Sequence, residues 1–93
     1  YGTCVMMKNH EVIVELYQMP DKQLAEIKQR KNGHVDHFAI DVSDVDSAFD
    51  TLKKAGFEIL EATPTFLPFW KNGTRFFNVK GPSGETIEFN QIL

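Results

Sequence analysis

An α+β fold is expected for this 93-residue chain, on three observations. Read as a strand, Asn32–Val45 (NGHVDHFAIDVSDV) puts Phe38, Ile40 and Val42 on one face and Val35, His37, Ala39 and Asp41 on the other. In Gly81–Leu93 (GPSGETIEFNQIL), Ile87 and Phe89 share a face while Thr86, Glu88 and Asn90 point the opposite way. Between these two strands, Val45, Ala48, Phe49, Leu52 and Ala55 recur at helical spacing and form one apolar stripe suited to packing on a sheet.

The remaining elements follow in order. Tyr1–Lys8 reads as a strand, Lys8–Glu11 as a polar turn and Val12–Tyr17 as a second strand, so the two form a hairpin. In this second strand, VIVELY, Val12, Val14 and Leu16 alternate with Ile13, Glu15 and Tyr17. His10 sits in the turn and is expected in solvent. Met19–Gly33 is a linker in which Pro20 ends the strand and Asp21 is placed to cap a short helix through Leu24, Ala25 and Ile27. Lys28, Arg30 and Lys31 form a basic end, either simply solvated or facing an anionic ligand. Asn32-Gly33 turns the chain into the next strand. His34 precedes that strand and is expected to be exposed, whereas His37 lies inside it.

Ser43–Ala55 carries the helix, with Ser43 and Asp46 spaced as a capping pair and Gly56 suited to the left-handed position after it. Phe57–Ala62 reads as a strand. Thr63–Gly73 (TPTFLPFWKNG) reads as a loop too apolar for a solvated connection. It either folds onto the core or a partner subunit, or walls an apolar ligand with Phe69 and Trp70. Thr74–Lys80 is a strand on which Arg75 could anchor a substrate carboxylate or make an ion pair at the sheet edge. Gly81–Gly84 joins two strands and opens no helix, so it is a tight turn and not a phosphate loop. Glu85, beside that turn, is expected in solvent.

Bulk properties exclude several classes. A formal charge of −3 gives no basic footprint for nucleic acid. No apolar run approaches the roughly 20 residues of a membrane span. The single Cys4 fits a reducing compartment and a cytoplasmic location, and serves as a small apolar residue.

Three strands thus offer Glu15, His37 and Glu88, each on the side away from its strand's apolar face. Glu88 is flanked by Ile87 and Phe89, where a carboxylate needs a partner to stay charged. Two carboxylates and an imidazole make an oxygen/nitrogen donor set that suits Zn, Ni, Co, Mn or Fe(II) better than Cu(I).

The segments VDHFAIDVSDVDSAFDTLKKAGFEI, NGTRFFNVKGPSGETIEFNQ and VIVELYQ, in their order and spacing, resemble the vicinal oxygen chelate superfamily. That superfamily includes glyoxalase I, bleomycin- and fosfomycin-resistance proteins, methylmalonyl-CoA epimerase and extradiol dioxygenases. The resemblance implies βαβββ modules, two to a site. It places one complete module at residues 34–93, a linker at 19–33, and at 1–18 the closing strands of a first module whose opening strand and helix are absent. It further implies one divalent metal ion held by Glu15, His37 and Glu88, with a fourth ligand expected upstream of Tyr1.

By resemblance to glyoxalase I (lactoylglutathione lyase), the activity is that of a metal-dependent lyase or isomerase, or of an epimerase. It acts on a small substrate, such as a thiol adduct, through vicinal oxygens and an enediolate. Glu88 or Glu15 moves the proton. The alternative is a metal-free binding protein of the bleomycin-resistance kind, with an aromatic cleft. A homodimer is expected on either reading, with exchange of the hairpin strands as one way to form it.

Overall fold

The computed structural model describes residues 2–31 and 33–93. Tyr1, and Asn32 of the expected Asn32-Gly33 turn, lie outside the described residues. The chain divides into two compact units, Tyr1–His34 and Val35–Leu93.

The first unit is a hairpin and a short helix. Strand β1 (Thr3–Asn9) pairs antiparallel with β2 (Val12–Gln18), Cys4 facing Tyr17 and Met6 facing Glu15. The tight connection is made by His10, whose φ of 55° is left-handed. Helix α1 (Asp21–Lys28) follows. Asp21 does not cap it: Pro20 holds the N-cap position and no side chain accepts a hydrogen bond there. Pro20 fits that place because its extended backbone (φ −60°, ψ 158°) leads into the helix while Asp21 becomes the first helical residue. At the other end Arg30 is tied to the Glu26 carboxylate by bonds of 2.7 and 2.6 Å, so one of the three basic residues is engaged within the linker itself.

The second unit is a four-stranded sheet carrying one helix. Strand β3 (Phe38–Asp41) is followed by helix α2 (Val45–Lys54), β4 (Thr65–Leu67), β5 (Thr74–Lys80) and β6 (Thr86–Ile92). The sheet order is β3-β6-β5-β4. The β3–β6 pair is parallel, which α2 makes possible by carrying the chain back across the sheet; the other pairs are antiparallel. Val45 and Phe49 of α2 bury against Phe77 and Val79 of β5, with Val42, Ala48, Leu52, Ile59, Ile87 and Phe89 packed around them. The Phe77 ring meets Phe49 edge-on and stacks on Phe89, each at 5.3 Å. Every core position on β5 and β6 is odd-numbered. Strand alternation therefore sends Thr74, Phe76, Asn78, Glu88 and Asn90 to the reverse face.

Several expected elements are corrected. His37 does not lie inside the strand; β3 begins at Phe38. The helix cap is Asp44 and not Ser43: Asp44 Oδ1 accepts from Ser47 N at 3.1 Å, and Gln91 Oε1 accepts from Val45 N at 2.9 Å. Ser43 and Asp44 are adjacent and equally able to cap, and the sheet register decides by bringing Gln91 beneath Val45. Ala55 is exposed as the C-cap, and Gly56 takes the expected left-handed turn at φ 87°. Phe57–Ala62 forms no strand beyond a single bridge, Ile59 with Val79. Two backbone bonds flank that bridge, Leu60 N to the Asn78 carbonyl (2.9 Å) and Lys80 N to the Glu58 carbonyl (3.0 Å). The next rung is supplied by the Glu61 carboxylate, which accepts from Asn78 N (2.7 Å) and Asn78 Nδ2 (2.9 Å). The apolar loop contains β4, pairing Thr65–Leu67 with Phe76–Thr74. Glu85 is half-buried and folds back over the turn, accepting from Ser83 N at 3.3 Å.

Candidate functional site

Two of the expected site residues meet on the reverse face of the sheet. Parallel pairing sets Ala39 opposite Glu88, and His37, just ahead of β3, reaches the Glu88 carboxylate. His37 Nε2 lies 3.0 Å from Glu88 Oε1. On the other side of the ring, Nδ1 lies 2.7 Å from Asp36 Oδ2. The Glu88 hydrogen bond is the main cause that pushes the His37 pKa up to about 9; burial opposes it and Asp36 reinforces it. At neutral pH the ring is therefore an imidazolium donating to both carboxylates. The Glu88 side chain is 19 % exposed, against 64 % for Asp36.

Around this pair the reverse face is polar. Asn78 stands directly opposite Glu88 on β5. Its Nδ2 is held by Glu61, while Oδ1 is buried without a hydrogen-bond partner. One register step along, buried Asn90 donates to Asp41 Oδ1 at 2.8 Å. Buried Thr74 lies against Asn90 Oδ1 and the Gln91 carbonyl. Asp36 and Asn78 escape a search of the sequence for donors, one because a neighbour in a strand points away, the other because its partner is set by the β5–β6 register. Asn90 could have been found, since it alternates in step with Glu88.

Glu15 belongs to the first unit. Its carboxylate accepts from the Tyr17 hydroxyl at 3.2 Å, and partial burial, then Cys4 and Glu15, push the Tyr17 pKa up. Arg75 lies on the helix side of β5, the face opposite Glu88, where Asp46 takes both of its terminal nitrogens (2.7 and 2.9 Å). The bond to Arg75 holds the Asp46 carboxyl below its ordinary range. Phe69 and Trp70 form an edge-on pair at 6.2 Å beyond the end of β4. Leu67 pairs with Thr74, four residues along β5 from Asn78, which puts this end of the sheet about 13 Å from the Glu88 register. The described structure thus joins His37 to Glu88 and brings neither Arg75 nor the Phe69–Trp70 pair to them.

The donor chemistry fits a divalent cation in part. An imidazole nitrogen and a carboxylate oxygen about 3 Å apart have the spacing of neighbouring donors around one ion with bonds of about 2.1 Å. Among the described residues, no group of three His, Cys, Asp or Glu side chains is gathered closely enough to hold a metal.

Residues 2–89 match the model of the Glyoxalase/Bleomycin resistance protein/Dioxygenase superfamily. The chain belongs to that superfamily. A curated relative, the uncharacterized protein YwbC of Bacillus subtilis (strain 168), is 36 % identical over 59 residues, which span 63 % of this chain and 44 % of YwbC. Among solved structures, TioX from Micromonospora sp. ML1 superposes with a TM-score of 0.51 at 22 % identity, over 87 % of this chain and 60 % of TioX. At that identity the likeness concerns the fold alone. The chain spans less than two thirds of the length of either. Among the described residues no helix is long and apolar enough to cross a membrane.

Proposed function

We propose that this chain is a metal-dependent lyase or isomerase of the glyoxalase I kind, acting on a small molecule with vicinal oxygens. The observation that carries the reading is the approach of His37 Nε2 to Glu88 Oε1, 3.0 Å apart on the face of the sheet that the helix leaves open. His37 and Glu88 would hold a divalent ion (Zn, Ni, Co, Mn or Fe) from the second unit, with Glu15 as the donor from the first. Such an ion supplies Lewis acidity toward the substrate oxygens. Glu88 is placed to take the proton from the carbon alpha to a carbonyl and return it at the neighbouring carbon, with Glu15 as the other candidate base. A cytoplasmic homodimer, with the hairpin strands exchanged between subunits as one arrangement, is the matching assembly.

A second reading is favoured by one feature. Both nitrogens of His37 are already satisfied by carboxylates, as in a site that needs no metal. On that reading the chain binds a small molecule without transforming it, like the bleomycin-resistance branch of the family. Metal content decides between the two. Elemental analysis of the intact chain before and after chelation should find one divalent ion, lost in Glu88→Gln. A chain that stays metal-free when offered Zn, Ni, Co, Mn and Fe(II) would remove the lyase reading and leave the binding one.

A further inference from the structure

In a regular strand, residues i and i+1 point to opposite faces and cannot meet. Asp36 and His37 do meet, because both lie ahead of β3, where the backbone is not yet in the ladder. The late start of the strand thus has a local consequence: it lets the residue before the histidine reach the ring. The approach, 2.7 Å, is shorter than that of Glu88 on the far side of the ring. Together the two contacts fix the ring plane and its flip state, since turning the imidazole by half a revolution would set carbons where the carboxylates now face nitrogens.

An imidazole that gives one nitrogen to a cation keeps its proton on the other, and an acceptor for that proton sets which nitrogen is given. We propose that Asp36 is the positioning residue of the site: its carboxylate holds Nδ1–H and so directs Nε2 toward Glu88 and toward any divalent cation Glu88 binds. The inference rests on the metal reading for its consequence, yet the orientation it assigns exists in the metal-free chain. In this role Asp36 acts through the His37 ring and is not itself a ligand.

The test starts without metal, on the intact chain. Nitrogen-resolved NMR of the His37 ring should show an Nδ1 proton slowed in exchange beside the Nε2 proton held by Glu88. Asp36→Ala should lose the first and keep the second. Asp36→Asn, whose amide oxygen still accepts, should keep both. An absent Nδ1 resonance in the parent chain, or one unchanged in Asp36→Ala, overturns the proposal. Zinc alone is then titrated. Asp36→Ala should bind it about 10- to 100-fold more weakly, with Asp36→Asn closer to the parent. Equal affinity in the parent and Asp36→Ala also overturns it. A parent chain that takes up no zinc removes the metal reading of the function instead, and the proton resonances then decide the role of Asp36 by themselves.

Discussion

Between Asp36 and Glu88 the His37 ring stays charged to about pH 9, against an ordinary value of 6.5, chiefly through the Glu88 hydrogen bond. The folded chain thus holds a proton that the unfolded chain releases earlier, so the pair stabilises the fold fully below about pH 6.5. That contribution should decline as pH rises from 6.5 and be gone above about 9. Urea unfolding across this range should show the decline in the parent chain and not in Glu88→Gln; a parallel profile in the two would place the proton elsewhere. The same proton competes with a cation, because an imidazolium offers no lone pair. Zinc affinity, where the site takes zinc, should therefore climb with pH until His37 has titrated and then level off. An affinity flat between neutral pH and 9 would mean that His37 is not a ligand.

At the scale of elements, the cap of α2 separates what the sequence could show from what only packing decides. Asp44 accepts from Ser47 N, so Asp44→Ala should cost about 1 kcal/mol of stability. Ser43→Ala should stay within about 0.5 kcal/mol. Equal losses in urea unfolding would contradict the assigned cap. Alternation and helical spacing made β5, β6 and α2 readable, since Val45, Phe49, Phe77, Val79, Ile87 and Phe89 each obey the period of their element. The cap was misplaced by one residue because Ser43 and Asp44 are chemically interchangeable there and Gln91, far along the chain, makes the choice. The strand expected at Phe57–Ala62 failed for a related reason. A side chain, Glu61, does the work of a backbone rung on Asn78, and no periodicity records that. Glu61→Ala leaves the Asn78 amide without its acceptor and should cost about 1–3 kcal/mol, again read by urea unfolding. In the candidate site, Glu88 was visible as a donor on an alternating strand, and His37 was found by carrying the alternation of β3 one residue past its start. Asp36 was not, because its contact depends on where β3 begins.

Across the whole molecule, stability is unevenly shared. Among the described residues, every buried apolar residue belongs to the second unit. The hairpin exposes Val5, Met6, Met7, Val12, Ile13, Val14 and Leu16, on both of its faces. A two-stranded hairpin on its own is marginal in water, so β1 and β2 should open at little cost while β5 and β6 open only with the core. Hydrogen exchange followed by mass spectrometry should find the β5 and β6 amides the slowest and those of the hairpin far faster. Equal protection would mean that another surface, such as a second copy of the chain, covers the hairpin. The same measurement tests the proposed role of Glu15, because a ligand that draws donors from two units stabilises the weaker one in proportion to its binding. If Glu15 joins His37 and Glu88 on one ion, zinc should slow exchange in β2 as well as around Glu88, and Glu15→Gln should abolish the β2 effect while leaving the local one. Zinc that protects only the second unit, in the parent and in Glu15→Gln alike, would remove Glu15 from the ligand set and leave the cation to the His37–Glu88 pair.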